Sequence, residues 1–223
     1  MTTPITPTFL TTKLQQDKIT EQVCKDFTIE WTGIHEFQKH IIDKKDLPKD
    51  FNIGLIVGGS GSGKSILLND FGVEETPEWD NSKSVASHFN NYEDATDKLM
   101  AVGFNSIPHW LVPYNVLSTG QKYRVDLART LKDNCIRDEF TSVIDRPTSM
   151  SLSNSIQKHV RKKNMKGIVF ASVHRDIIPY LQPDWIYDTS TRILTVNSAT
   201  YDVESIKNST FKKKVFLTYN EGK

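Results

Sequence analysis

The stretch FNIGLIVGGSGSGKS, residues 51–65, decides the fold class. Its first half is a short apolar run of strand length, and its second half, Gly58 to Ser65, matches G-x-x-x-x-G-K-[ST]. Glycines at these positions let the backbone curl until its N–H groups point inward at phosphate oxygens. A helix is expected directly after Lys64, in ILLNDFG, and its positive end adds to the cradle. The candidate phosphate-binding residues are therefore Gly58, Gly59, Ser60, Gly61, Ser62, Gly63, Lys64 and Ser65. Lys64 can reach the β- and γ-phosphates, and the Ser65 hydroxyl can ligate Mg²⁺. A flexible Gly/Ser linker would not follow a buried strand. The loop alone is shared by kinases, GTPases, motors and transporter ATPases, although the base-reading NKxD of GTPases is missing.

Composition narrows the setting. The 223 residues suffice for one domain with a real core, and 25% charged with 37% apolar residues is ordinary for a soluble globular chain. A net charge of +1 provides no overall field for nucleic acid or membrane, which leaves local basic clusters at Arg161, Lys162, Lys163, Lys166 and at Lys212, Lys213, Lys214. Two cysteines, Cys24 and Cys135, stand far apart without a CxxC, as expected in a reducing, cytoplasmic compartment. The start, MTTPITPTFLTT, lacks the basic and apolar parts of a signal peptide, and the apolar runs are far too short to span a membrane.

Along the chain, residues 1–12 are rich in Thr and Pro and read as disordered, leaving 13–223 as a single domain. Residues 24–40 carry strand-like Phe27, Ile29 and Trp31, followed by a helix expected around His35–Ile42. LPKD at 47–50 is a turn, KSVASHF at 83–89 reads as a strand, and 93–103 reads as a helix ending at Gly103. GQKYRVDLARTLKD is a strong helix, with Tyr123, Leu127 and Leu131 on one face. A short strand toward Asp138, a helix near 151–163 and the strand GIVFASV at 167–173 follow. RILTVN and KVFLTY, near the end, alternate as antiparallel strands do. Strands alternating with helices predict an α/β fold with a largely parallel sheet.

LSTGQKYRVDLAR, from Leu117, resembles the signature of ABC-type ATPases, LSGGQ followed by an R-x-x-LAR helix, with Thr119 in place of a glycine. Ser118 is also a natural helix N-cap, which explains that residue but not the whole run. The resemblance implies that Ser118, Thr119, Gly120 and Gln121 meet the γ-phosphate held by a second copy, so that two chains close head to tail over two ATP molecules. It also implies a P-loop NTPase fold of the ABC ATPase type: a mainly parallel sheet flanked by helices, an antiparallel β portion, and a helical subdomain at about 90–130, reduced in this chain.

The segment RDEFTSVIDRPTSMS, 137–151, offers two acids. DEFTS resembles the family's D-E-P-T-S, with Phe140 for proline, and SVID then falls where its D-loop, S-A-L-D, should lie. On that reading Asp138 holds Mg²⁺, Glu139 activates water and Asp145 is the D-loop acid. On the other reading Asp145 serves the metal, Arg146 follows, and a nucleotide switch without hydrolysis results. The spacing favours Asp138, although NCIR is a polar strand, Arg137 is unusual beside a metal, and TSVI is the better strand by composition. His174, after the strand in VFASVHRD, matches the family's switch histidine, a hydrogen-bond donor to the γ-phosphate.

The resemblance covers roughly residues 51–190. PYNVLSTGQ, DEFTSVIDR and LQPDWIYD resemble a set of soluble bacterial and phage ABC-type ATPases, some of whose relatives carry an acetyltransferase domain. No Q-loop glutamine is evident; His88 or Asn90 could substitute, and Phe27 or Trp31 could stack on adenine. Only 53 residues lie between Lys64 and Ser118, fewer than transporter ATPases usually need. The expectation is an ATPase using ATP with Mg²⁺, dimerising on ATP and acting on a protein or nucleic-acid partner. The alternatives are the nucleotide-binding subunit of a membrane transporter and the switch without hydrolysis.

Overall fold

The computed structural model describes residues 8–197. The chain divides into two compact units, the first ending at Ile41 and the second beginning at Ile42. In the first unit β1 (Thr8–Lys13) pairs antiparallel with β2 (Ile34–Lys39), with α1 (Lys18–Phe27) between them in sequence. Residues 8–12 thus belong to a strand and not to a disordered leader; residues 1–7 lie outside the described region.

The sequence expectations for 24–40 are also reversed. Phe27 ends a helix, and the helix expected at His35–Ile42 is strand β2. The cause is local at α1 and tertiary at β2. Asp17 and Thr20 form a reciprocal capping box that starts α1, and Thr28 closes it in the left-handed region (φ 55°). β2 exists because β1 supplies its backbone partners, which single-segment pattern reading cannot see.

The second unit is built on a five-stranded sheet in the order β4 (Ile136–Arg137), β5 (Ile168–Ser172), β3 (Ile53–Val57), β6 (Trp185–Asp188), β7 (Ile193–Val196). The first four run parallel and β7 is antiparallel to β6, matching the expected mainly parallel sheet with an antiparallel portion. KVFLTY and the cluster Lys212 to Lys214 lie outside the described residues. All five residues of β3 and all five of β5 are buried, as strands covered on both faces must be. Ile53, Leu55 and Val57 face one core with Val125, Leu127, Ile156 and Phe170, and Ile56 faces the other with Leu67, Leu68, Val169 and Trp185.

Helices α2 (Lys64–Leu68), α3 (Tyr92–Ala101), α4 (Thr119–Thr130), α5 (Arg146–Lys162) and α6 (Ile178–Leu181) complete the unit. KSVASHF forms a 3-10 turn at Val85–His88 and not a strand; Ser84 caps it with no neighbouring strand to pair. α3 ends as expected, with Gly103 in the left-handed region (φ 67°). α5 begins five residues before the expected start, because Asp145 caps it and Pro147 sits in its first turn. No helix among the described residues is long and apolar enough to cross a membrane. The basic cluster at 161–166 is largely engaged within the protein: Arg161 pairs with Asp184 (3.0 Å), Lys163 with Asp97 (2.7 Å), and Lys166 Nζ donates to the Asp50 carbonyl (3.2 Å).

Gly54 shows how tightly β3 and β6 meet. A Cβ at this position would fall 2.1 Å from the Trp185 indole, which is fully buried between Phe51 (5.5 Å, edge-on) and Phe71 (5.3 Å, stacked). Gly54→Ala is expected to destabilise by about 1–3 kcal/mol through overpacking. Gly72→Ala, whose Cβ would make only an ordinary 3.6 Å contact, should stay within about 0.5 kcal/mol of the parent. Urea unfolding of the two variants checks the contrast.

Candidate functional site

Parallel strands present their carboxyl ends on one edge of the sheet, where ligands of open α/β folds bind. β3 delivers the glycine-rich loop there, β5 delivers His174, and β4, beyond β5, delivers Asp138 and Glu139. Val57 pairs with Ser172 and Arg137 with Phe170, so the three strands end nearly level. Asp138 and Gly58 are then two strand spacings apart, roughly 10 Å.

The loop from Gly58 to Ser65 follows β3 and runs into α2. Gly61 (φ 70°) and Gly63 (φ 84°) take left-handed conformations that side-chain-bearing residues avoid. Lys64 is buried, with its ammonium donating to the Gly59 carbonyl at 2.8 Å, so the cation is folded back over the loop. Ser65 is exposed. Thr189, just past β6, accounts for the loop's shape on the other side. Its hydroxyl hydrogen-bonds Ser62 Oγ (2.7 Å) and donates to the Val57 carbonyl (3.1 Å), and it fills the space a Gly58 side chain would need. No motif marks Thr189 in the sequence; only the β3–β6 pairing brings it here.

Asp138 directly follows β4, whereas Asp145 caps α5, accepting hydrogen bonds from the Thr148 N–H (2.9 Å) and hydroxyl (2.7 Å). Those bonds hold the Asp145 carboxyl below the ordinary range, with Arg124 adding to the effect. TSVI, strand-like by composition, is a turn, with Thr141 in the left-handed region (φ 71°). Asp138 Oδ1 accepts the Glu139 N–H (2.8 Å), and Glu139 (φ 47°) is exposed.

The odd Arg137 is also resolved. It is buried and paired with Glu74 (3.0 Å), and its guanidinium lies over the Tyr123 ring (5.1 Å). The same Glu74 accepts the Asp138 N–H at 3.1 Å. Phe140, standing where the resembled motif has proline, uses the N–H a proline lacks. It donates to the Ala171 carbonyl (2.8 Å), the Phe140 carbonyl accepts from Ser172 Oγ (2.8 Å), and its ring stacks on Phe170 (4.2 Å between centroids).

His174 shares a hydrogen bond with Thr141 Oγ1 (3.1 Å) through Nδ1. Burial and then the nearby Arg146 push its pKa down, with Glu139 pulling the other way, so the imidazole is neutral at neutral pH. Arg146 is itself ion-paired with Asp176. Among the described residues no group of three or more His, Cys, Asp or Glu could hold a metal alone. The donors present, an exposed Ser65 hydroxyl and the Asp138 carboxylate, fit Mg²⁺, which takes one or two protein oxygens and completes its shell with water and phosphate.

The signature run opens α4. Ser118 is its N-cap and forms a capping box with Gln121: the Ser118 N–H donates to Gln121 Oε1 (2.9 Å) and the Gln121 N–H to Ser118 Oγ (3.4 Å). Ser118 and Thr119 remain exposed. A Cβ on Gly120 would come within 3.2 Å of the Ile144 side chain, a tight approach where α4 passes the SVID segment.

His88, offered as a Q-loop substitute, has both ring nitrogens engaged, with Asp80 N (2.9 Å) and the Ser84 carbonyl (2.9 Å); it packs on Trp79 (4.8 Å). Asn90 lies just before the cap of α3, its backbone N–H donating to Asp94 (3.1 Å). Phe27 and Trp31 both lie in the first unit, Phe27 exposed at the end of α1 and Trp31 with its indole against Gly33.

No family model matches the chain. Among curated proteins it is similar to the cytochrome c biogenesis ATP-binding export protein CcmA of Bartonella henselae, 39% identical over 79 residues; the match spans 34% of this chain and 36% of that protein. Among solved structures, the ATP-binding cassette MJ0796, in a dimeric post-hydrolysis state bound to ADP and Pi, matches with a TM-score of 0.50 at 15% identity, covering 71% of this chain and 88% of that one. CbiO1 from Clostridium perfringens, part of the ABC transporter complex cbiONQ, has a TM-score of 0.43 at 22% identity, covering 61% and 72%. The fold is that of an ABC-type ATP-binding cassette. Within this fold the glycine-rich loop, Asp138–Glu139 and His174 share one edge of the sheet, and the LSTGQ run opens the helix beside SVID.

The His174 environment is directly measurable. By NMR its imidazole is expected to titrate below the roughly 6.5 of an exposed histidine. Arg146→Gln removes a neighbouring positive charge and should move that titration upward; an unchanged midpoint would contradict the proximity described here.

Proposed function

We propose that residues 42–197 form an ATP-hydrolysing cassette that dimerises head to tail on ATP and uses closure to act on a partner. The single observation that carries the reading is the convergence of loop, acid pair and histidine at the carboxyl ends of β3, β4 and β5. In this reading the backbone N–H groups of Gly59 to Ser65 cradle the phosphates, and Lys64 exchanges the Gly59 carbonyl for a phosphate oxygen. Ser65 and Asp138 would hold Mg²⁺, which supplies charge neutralisation on the phosphates. Glu139 orients and deprotonates the attacking water. His174, held through Nδ1, donates Nε2–H to the γ-phosphate, which requires the Thr141 hydroxyl to donate to Nδ1. Chemistry of this kind is mostly positioning and charge stabilisation. The products are ADP and phosphate.

Ser118 and Thr119, exposed at the start of α4, would complete the site of a second copy, with Asp145 at the seam between copies. α3 and α4 make up the reduced helical subdomain. The two free cysteines support a reducing, cytoplasmic location. A kinship with soluble ABC-type ATPases related to acetyltransferase-linked ones rests on the quoted motifs alone. The similarity to a protein named for export favours a second reading, the nucleotide-binding subunit of a membrane transporter. Stable co-purification with a membrane protein would select it.

Glu139→Gln is expected to bind ATP like the parent, slow turnover by about 10²-fold or more, and accumulate dimer in size exclusion with ATP. Lys64→Ala should lose nucleotide binding and the dimer together. Unchanged turnover in Glu139→Gln would refute the assignment of Glu139 as the water-activating group, and a parent that binds ATP without releasing phosphate would return the reading to the switch. The same trapped dimer is the bait for a partner pulldown.

A further inference from the structure

We propose that Tyr123 is a positioning residue whose buried hydroxyl couples the signature helix α4 to His174 through Thr141. The inference rests on the function proposed above. Tyr123 is in the second turn of α4, one turn and a half past the exposed Ser118–Thr119 cap. Its side chain is 8% exposed, and its hydroxyl accepts the Thr141 N–H at 3.1 Å. Thr141 is fully buried and left-handed, and its own hydroxyl meets His174 Nδ1 at 3.1 Å. A helix that can touch a nucleotide at its tip is therefore two hydrogen bonds from the histidine that faces a nucleotide at the sheet edge.

A ring without its oxygen would fill the same space, so packing does not explain the hydroxyl. Beside its interaction with Arg137, the oxygen satisfies a buried N–H in a backbone conformation that a threonine does not adopt unaided. Hydrogen bonds weaken steeply beyond about 3.5 Å, so a shift of α4 by under 1 Å is enough to release Thr141. Released, Thr141 no longer fixes the His174 ring or tautomer. In the proposed dimer the cap of α4 meets the nucleotide of the other copy, while His174 meets the nucleotide of its own. Tyr123 thus links the two nucleotide sites: each reports its occupancy to the histidine of the other.

The test is Tyr123→Phe in the full chain, with Thr141→Val and Thr141→Ser alongside. In the parent, turnover against ATP concentration should be cooperative, with a Hill coefficient approaching about 2, the number of sites. Tyr123→Phe should lower kcat by tenfold or more, leave the KM within about twofold, reduce the Hill coefficient to about 1, and change the His174 ¹⁵N tautomer pattern. Thr141→Val should reproduce these effects and Thr141→Ser restore them. The double variant Tyr123→Phe/Thr141→Val should be no worse than Thr141→Val alone. Additive losses, an unaltered His174 tautomer pattern in Tyr123→Phe, or a parent that hydrolyses ATP without cooperativity would overturn the inference. A parent that does not hydrolyse ATP at all would instead overturn the function proposed above. If Tyr123→Phe does not fold, the Thr141 pair decides: loss of cooperativity in valine and its return in serine supports the coupling, and anything else overturns it.

Discussion

The site depends on a clamp between the turn after β4 and the strand β5. β4 contributes only two residues to the sheet, too few to hold the acid pair by strand pairing alone. The Phe140 N–H and carbonyl both bond to β5, at Ala171 and Ser172, and the Phe140 ring stacks on Phe170. These contacts extend the β4–β5 attachment past the end of the ladder. They bracket Glu139 and Thr141, two residues in left-handed backbone, which persist because the surroundings over-determine them. Proline at 140 would forfeit the N–H, so this turn is built for phenylalanine.

A second constraint works from the other side of β4. Segment 74–79, EETPEW, runs from the end of the α2 region toward α4 as an acidic strap. Glu74 takes Arg137 and the Asp138 N–H, Glu75 pairs with Lys132 (2.7 Å), and Trp79 donates to Asp126 (2.7 Å) while stacking on Tyr114 (4.7 Å). Asp126, its pKa raised by burial, is held by that indole and by the Tyr114 hydroxyl (2.9 Å). Exposed pairs such as Glu75–Lys132 add little stability, but the Glu74–Arg137 pair is largely shielded and sits on a ring. The strap holds α4 and the acid pair in one frame.

Much of this was legible in advance because it is local. The loop, the cap at Ser118, the buried strands β3 and β5 and the helix α4 each have a signature within fifteen residues. The start of α5 is local too, marked by the Asp145 cap and by Pro147 in the first turn. The reversal at 24–40 and the absence of a strand at 83–89 were not, since a strand needs a partner and the sequence does not say which segments have one.

The order of the motifs along the chain, from glycine-rich loop through the LSTGQ run, the acids and the histidine, is written in the sequence, because each motif is short and contiguous. Which acid stands at the sheet edge was decided only in three dimensions. Asp138 and Asp145 carry the same carboxylate seven residues apart. Asp145 caps a helix through local bonds to Thr148, whereas Asp138 follows a strand held to β5 by long-range backbone hydrogen bonds that no run of side chains encodes.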